Sequence, residues 1–206
     1  MNSSAWRVVL AGLVLVLGAA AAPATVLTFD DVTTSTYAEI PDGYGGFDWG
    51  SFGVVDPVAY PAVPSGYYNG IVSPTYVALN PYGTPADLWV AAPERFDFNG
   101  AYLTGAWNDG LSVRVQGYRT DTLVYDETVI TGAYAPTWFQ FDFLDVDRLL
   151  FTSFGGADAG FGIGSGEHFA MDNFTFNEAV AVPEPLTVAG LALGLGALGT
   201  YLRRRK

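Results

Sequence analysis

Between Thr25 and Ala181 apolar side chains recur at alternate positions in short runs, and that alternation restricts the fold more than any other feature of the chain. A strand sends successive side chains to opposite faces, whereas a helix needs a repeat near 3.6. Phe139, Phe141 and Phe143 alternate with Gln140 and Asp142. Phe96 and Phe98 alternate with Arg95, Asp97 and Asn99, and Leu111, Val113 and Val115 with Ser112, Arg114 and Gln116. Gly, Pro, Asn and Asp punctuate the runs, as turns require. Further strands are expected at Val26–Asp30, Phe52–Val55, Tyr76–Leu79, Leu123–Ile130, Arg148–Phe154 and His168–Phe176. Asn108-Asp109-Gly110 reads as a hairpin turn. No stretch shows an amphipathic helical repeat. The expected fold of residues 25–181 is an all-β, antiparallel β-sandwich, jelly-roll-like in character.

The chain has no cysteine, so disulfides, thiolate metal sites and cysteine nucleophiles are excluded. Its 14 Phe, 12 Tyr and 5 Trp supply a core without them. All 21 acidic residues lie between Asp30 and Glu184, with only Arg95, Arg114, Arg119 and Arg148 among them, four against 21 for a net of −17. Such a surface repels phosphate backbones, so nucleic acid is not an expected partner. It suits solubility, cations or neutral ligands.

Residues from about Gly43 to Pro85 are rich in Gly, Pro and Tyr and read as loops, where binding function concentrates. Tyr44, Trp49, Tyr67 and Tyr68 are candidate ligand contacts, since Tyr and Trp offer a flat apolar face with a polar rim that suits sugar rings. The competing reading is that they close the sheet ends by packing. In the last strand Phe169 and Met171 share one parity while Phe174 and Phe176 share the other, so a β-bulge is expected at Asp172-Asn173. No catalytic residue is expected. His168 is the sole histidine, no serine sits in a G-x-S-x-G element, and no pair of carboxylates stands apart.

The two ends carry addresses. Arg7, then Val8 to Leu17, then small residues ending Ala22-Pro23-Ala24 read as a signal peptide over residues 1–24, cleaved after Ala24. Residues 182–206 hold Pro183-Glu184-Pro185, an uncharged run Leu186 to Leu202, and Arg203-Arg204-Arg205-Lys206. That run of 17 residues would span roughly 25 Å as a helix, so a single C-terminal transmembrane helix is expected, with the basic cluster on the cytoplasmic side.

The three-part tail resembles the PEP-CTERM sorting signal of Gram-negative bacteria. The resemblance implies an exosortase-type processing protease as partner, a transient hold in the inner membrane, and delivery to the cell surface or extracellular matrix, often alongside exopolysaccharide. The stretch from Phe29-Asp30-Asp31 to Met171-Asp172-Asn173-Phe174 resembles exported jelly-roll domains of the galactose-binding-like type. That likeness implies neighbouring first and last strands with a structural Ca2+ between them, for which Asp30, Asp31, Asp172 and Asn173 are suitable ligand types. Turn and cap chemistry is the alternative use for the same residues. The functional expectation is a non-enzymatic surface or matrix protein whose sandwich binds extracellular polysaccharide. A small secreted hydrolase and a purely structural or adhesive module are the alternatives.

Overall fold

Strands form where the alternation places them, and their edges fall at the glycine, proline and asparagine breaks. The computed structural model describes residues 24–60, 64–162 and 164–178. In chain order, β1 (Thr25–Leu27), β2 (Tyr37–Glu39), β3 (Asp48–Gly50) and β4 (Gly53–Val55) are short. A single helical turn, α1 (Gly66–Asn69), precedes β5 (Val77–Leu79) and β6 (Ala86–Trp89). Then follow β7 (Phe96–Gly105), the two-residue β8 (Asn108–Asp109), β9 (Leu111–Arg119), β10 (Thr122–Thr131), β11 (Thr137–Val146), β12 (Arg148–Phe154), the two-residue β13 (Ala157–Asp158) and β14 (Phe169–Phe176).

Every pairing is antiparallel. One sheet runs β11-β7-β14-β5-β4-β2, with β1 also on β14; the other runs β10-β9-β12-β6-β3. Their inward faces meet in an aromatic core. Phe98 stacks on Phe174 at 4.8 Å and on Phe141 at 5.2 Å, and Phe47 meets Phe96 edge-on at 4.8 Å. The antiparallel β-sandwich therefore stands as expected.

Three expectations change. The anticipated C-terminal transmembrane helix is corrected: no helix among the described residues is long and apolar enough to cross a membrane. The Leu186–Leu202 run behind that expectation lies outside the described residues, as do the signal peptide and the sorting residues Pro183, Glu184, Pro185, Arg203, Arg204 and Arg205. The Asn108-Asp109-Gly110 turn does not close a hairpin either. β7 and β9 belong to different sheets, so this turn carries the chain across the sandwich, and Asn108–Asp109 pairs with β13 instead. Finally, the stretch Gly43 to Pro85 holds the expected strands as β4 and β5, but its supposed loops also contain β3 and α1. Its glycines break elements too short to show a period, while Phe47, Trp49, Phe52 and Tyr67 are buried.

The bulge in the last strand is present. The register of β14 against β7 shifts between Asp172 and Thr175, and Asn173 has φ 51. The shift lets Phe169 and Met171 before it, and Phe174 and Phe176 after it, all face the core. β14 borders β7 on one side along its length, and β5 then β1 on the other.

Candidate functional site

The bulge aims Asp172 inward, where it is fully buried. One carboxylate oxygen accepts N–H bonds from Val72 (2.7 Å) and Ser73 (2.9 Å). The other accepts the Ser73 hydroxyl (2.8 Å) and the Asn173 N–H (2.7 Å). Burial pushes this carboxyl above its usual range, and the four donors pull the other way. Asp30 holds the same segment further along, accepting from the Thr75 and Tyr76 N–H groups. Asp31 accepts the Tyr44 phenol at 2.8 Å. Asn173 leaves its Oδ1 buried without a partner. The structure thus brings Asp30 and Asp172 to one segment, Val72–Tyr76, as its two backbone clamps. Calcium needs six to eight oxygens, and here N–H and O–H donors occupy the carboxylates. Among the described residues no group of three or more His, Cys, Asp or Glu side chains is placed to share a metal ion.

The four aromatic candidates separate. Trp49 is buried in the core, its indole N–H bonded to the Tyr44 carbonyl at 2.9 Å. Tyr44 packs against Phe29 and Trp49. Tyr67 is buried, while its neighbour Tyr68 is 45% exposed. Packing accounts for Tyr44, for most of Trp49 and for most of Tyr67.

An aromatic groove takes in Trp49 and Tyr67 of those four, together with residues that the sequence did not single out, Tyr37 and Tyr82 among them. Two cavities of about 240 and 400 Å3 adjoin, sharing Tyr37, Pro81 and Tyr82. The smaller is walled by Tyr60, Tyr67, Trp107 and His168. The larger is more polar, with Glu39, Ser51 and Thr84 beside Trp49. Edge strand β2 supplies one rim: the Tyr37 ring lies over Gly53 of the paired strand, where a Cβ would come within 2.8 Å of it. The turn Pro81–Gly83 supplies the other rim. Tyr82 at its tip is 90% exposed and left-handed, with φ 60. Left-handed backbone costs a non-glycine residue roughly 1–2 kcal/mol, so the turn must be held by its surroundings. Buried Asn80 does so. Its Nδ2 donates to the Thr84 carbonyl (3.1 Å) and the Ser153 hydroxyl (2.9 Å), and its Oδ1 accepts the Phe169 N–H at 2.8 Å. A sequence signal existed for this rim in Asn80-Pro81-Tyr82-Gly83, a turn with an aromatic tip.

A hydrogen bond and an aromatic contact order the groove floor. The Trp107 ring stands edge-on to Tyr67 at 5.4 Å, and the Tyr67 phenol meets His168 Nδ1 at 2.8 Å. Burial pushes the Tyr67 phenol up and the His168 imidazole down, so both are neutral at pH 7. The tautomer sets the direction of this bond: with the proton on Nε2 the phenol donates to Nδ1 and Nε2–H is a donor for a ligand oxygen, and with it on Nδ1 the phenol accepts and Nε2 is an acceptor. Because the folded-state value of His168 lies below its ordinary value near 6.5, the unfolded chain binds more protons just below that pH. Stability from this group is complete above about pH 6.5 and declines as pH falls toward the folded value. The melting temperature is therefore expected to drop as pH falls below about 6.5, and the His168→Asn protein is expected to lack that component of the drop, as read by thermal melts at matched ionic strength.

Fold and groove together define an antiparallel β-sandwich with a tyrosine-rimmed surface cleft. No family model and no curated protein matches the chain. Among solved structures it is similar to a DUF4465 family protein from Bacteroides caccae, at TM-score 0.56 and 11% identity, covering 77% of this chain and 100% of that one. At that identity the likeness shows the shared fold alone. A DUF4465 family protein from Bacteroides ovatus aligns at TM-score 0.44 and 13% identity, over 77% of this chain and 91% of that one. The structure of TmCBM61 in complex with beta-1,4-galactotriose aligns at TM-score 0.37 and 12% identity, over 71% of this chain and 100% of that one.

Proposed function

We propose that this chain is an exported, non-catalytic glycan-binding β-sandwich that takes a neutral polysaccharide in the Tyr37–Tyr82 groove. The observation that carries this reading is Tyr82, an aromatic ring held almost wholly in solvent by a turn that a buried asparagine network fixes in a left-handed conformation. Exposed apolar surface at a concave site favours a ligand with flat apolar faces, and tyrosine supplies a hydroxyl for the ring edges. The polar groups beside it, Glu39, Ser51, Thr84 and the His168 imidazole, suit hydroxyls. The acidic surface favours a neutral ligand over a polyanion. His168, the only imidazole, is engaged by a tyrosine phenol rather than by a serine and a carboxylate, which supports binding without hydrolysis.

Truncating an aromatic anchor typically costs about 2 kcal/mol or more, roughly 30-fold in Kd. Tyr82→Ala is expected to weaken binding to neutral polysaccharides by that factor in affinity electrophoresis or calorimetry, and to leave the melting temperature unchanged. Equal retention of wild-type and Tyr82→Ala protein on every polysaccharide tested would remove the groove from consideration.

Export has its own test. β1 starts at Thr25, and its pairing with β14 begins there, so cleavage after Ala24 leaves the strand whole. N-terminal sequencing of protein recovered outside the producing cells is expected to read from Thr25; an intact Met1 on that protein would refute export by cleavage.

A further inference from the structure

A second cleft, of about 650 Å3, opens on the outer face of the five-stranded sheet and shares no residue with the tyrosine groove. Its floor is written in the strand register. Arg148 on β12 lies directly between Trp89 on β6 and Tyr118 on β9, and Asp87 lies two residues before Trp89 on the same face. The Arg148 guanidinium sits over the Tyr118 ring at 4.2 Å, which fixes its plane. Opposite Asp87 on β3 is Gly50, where a Cβ would overlap the Asp87 carboxylate and reach the Trp89 ring at 3.1 Å. Glycine there keeps the space in which both side chains stand.

The polar groups on this floor are unusual in this protein. Among the described residues the other three arginines of the domain each hold a carboxylate: Arg95 with Asp147, Arg114 with Asp126, and Arg119 with Asp145 at 3.0 Å. Arg148 holds none, and its Nε is buried without a hydrogen-bond partner. Asp87 carries a carboxyl pushed up by burial, opposed by the nearby Arg148 charge, and no side chain is bonded to it. Arg148 and Asp87 are diagonal neighbours across two strands, a spacing of roughly 7–8 Å between backbones, so a guanidinium without a carboxylate partner and a carboxylate without a side-chain partner line the cleft beside a tryptophan ring. The facing wall is rigid: Asp147 takes the Arg95 guanidinium and the Thr120 N–H (2.7 Å), and Arg95 also donates to the Thr120 hydroxyl at 2.8 Å.

We propose that this cleft is a second glycan-contact site, taking a neutral pyranose stacked on Trp89 with neighbouring hydroxyls shared between Asp87 and Arg148. A hydroxyl can donate to the carboxylate and accept from the guanidinium at once, which a carboxylate ligand cannot do. Asp87, Asp121 and Asp147 line the cleft with only Arg95 and Arg148, so a second anion is disfavoured there. The inference extends the glycan-binding reading to a surface that reading does not use. Two sites give one molecule the means to bridge glycan chains, with the avidity that bivalence brings.

The test uses the full-length protein and methyl β-glycosides of galactose and glucose, with methyl β-glucuronide as the charged comparison. Nitrogen-edited NMR reads the Trp89 indole N–H, assigned by its absence in Trp89→Phe, and the Arg148 Nε–H, assigned by its absence in Arg148→Lys. A neutral glycoside is expected to shift both resonances, in the wild type and in Tyr82→Ala alike, and Asp87→Asn is expected to bind it roughly tenfold more weakly. Three results would overturn the second site: neither resonance moving with any glycoside at tens of millimolar, a shift with the glucuronide only, or a shift that disappears in Tyr82→Ala. Silence at Trp89 together with a surviving Tyr82-dependent retention on polysaccharide would remove this site and leave the groove standing.

Discussion

Asp172→Ala is expected to lower stability by at least about 3 kcal/mol, and to do so equally in calcium and in chelator. The substitution leaves the N–H groups of Val72, Ser73 and Asn173 and the hydroxyl of Ser73 without their acceptor. A buried donor stripped of its partner costs about 1–3 kcal/mol, and four are released together, with partial relief from water at the segment's exposed side. Urea unfolding gives the measurement, as a fall in midpoint with little change in slope. Asp172→Asn separates charge from connectivity: its amide oxygen still accepts while its NH2 faces donors, so an intermediate loss is expected. A melting temperature for wild type that rises with calcium would show that an ion shares the carboxylates, and would displace the clamp as their main role.

Gly66→Ala is the second large effect. Gly66 opens α1 with its N–H bonded to the Ala106 carbonyl at 2.8 Å, and a Cβ there would overlap the Gly105 carbonyl, a backbone atom that cannot swing aside. Either α1 or the end of β7 must move. Tyr67, next in α1, carries the groove floor through its ring contact with Trp107 and its hydrogen bond to His168, so the displacement reaches the site. Overpacking that forces backbone shifts costs about 1–3 kcal/mol or more. A loss of that size in denaturant unfolding is expected, together with weaker glycan retention. A fully stable Gly66→Ala protein would mean that α1 is free of β7.

β9, β10 and β14 were read to within a residue or two from their β-branched and aromatic runs between turn residues, and β12 was read residue for residue because burial on one face alone imposes alternation. The bulge was legible for the same reason, since a strand that keeps one face on the core can flip parity between Met171 and Phe174 only by taking in an extra residue. β2, β3 and β6 were not: three or four residues display no period, and unlike the equally short β4 and β5 these lack a run of apolar residues to mark them. Asp30 and Asp172 stood out in the sequence as candidate calcium ligands; the structure shows both accepting backbone N–H groups, a use that composition does not distinguish from cation binding. The groove escaped notice because its rims, Tyr37 and Tyr82, are far apart in sequence and meet only when β2 is laid beside the turn that follows β5. The same holds for Asp87, Trp89 and Arg148, which the register alone brings side by side.

The pairing of Thr25 with Phe176 puts the first and last strand ends at the same pole of the sandwich. Beyond β14 the chain is still fastened to β7: Asn99 takes the Glu178 N–H on its Oδ1 (2.8 Å) and gives its Nδ2 to the Glu178 carbonyl, while Asn177 and Asp97 bond reciprocally. A load applied between the two ends would therefore peel β1 from its neighbour one rung at a time, over only three residues. A load applied through the downstream end alone meets the Asn99 and Asn177 rivets and then β14, the strand bordered by three others, so it would be resisted in shear by the centre of the sheet.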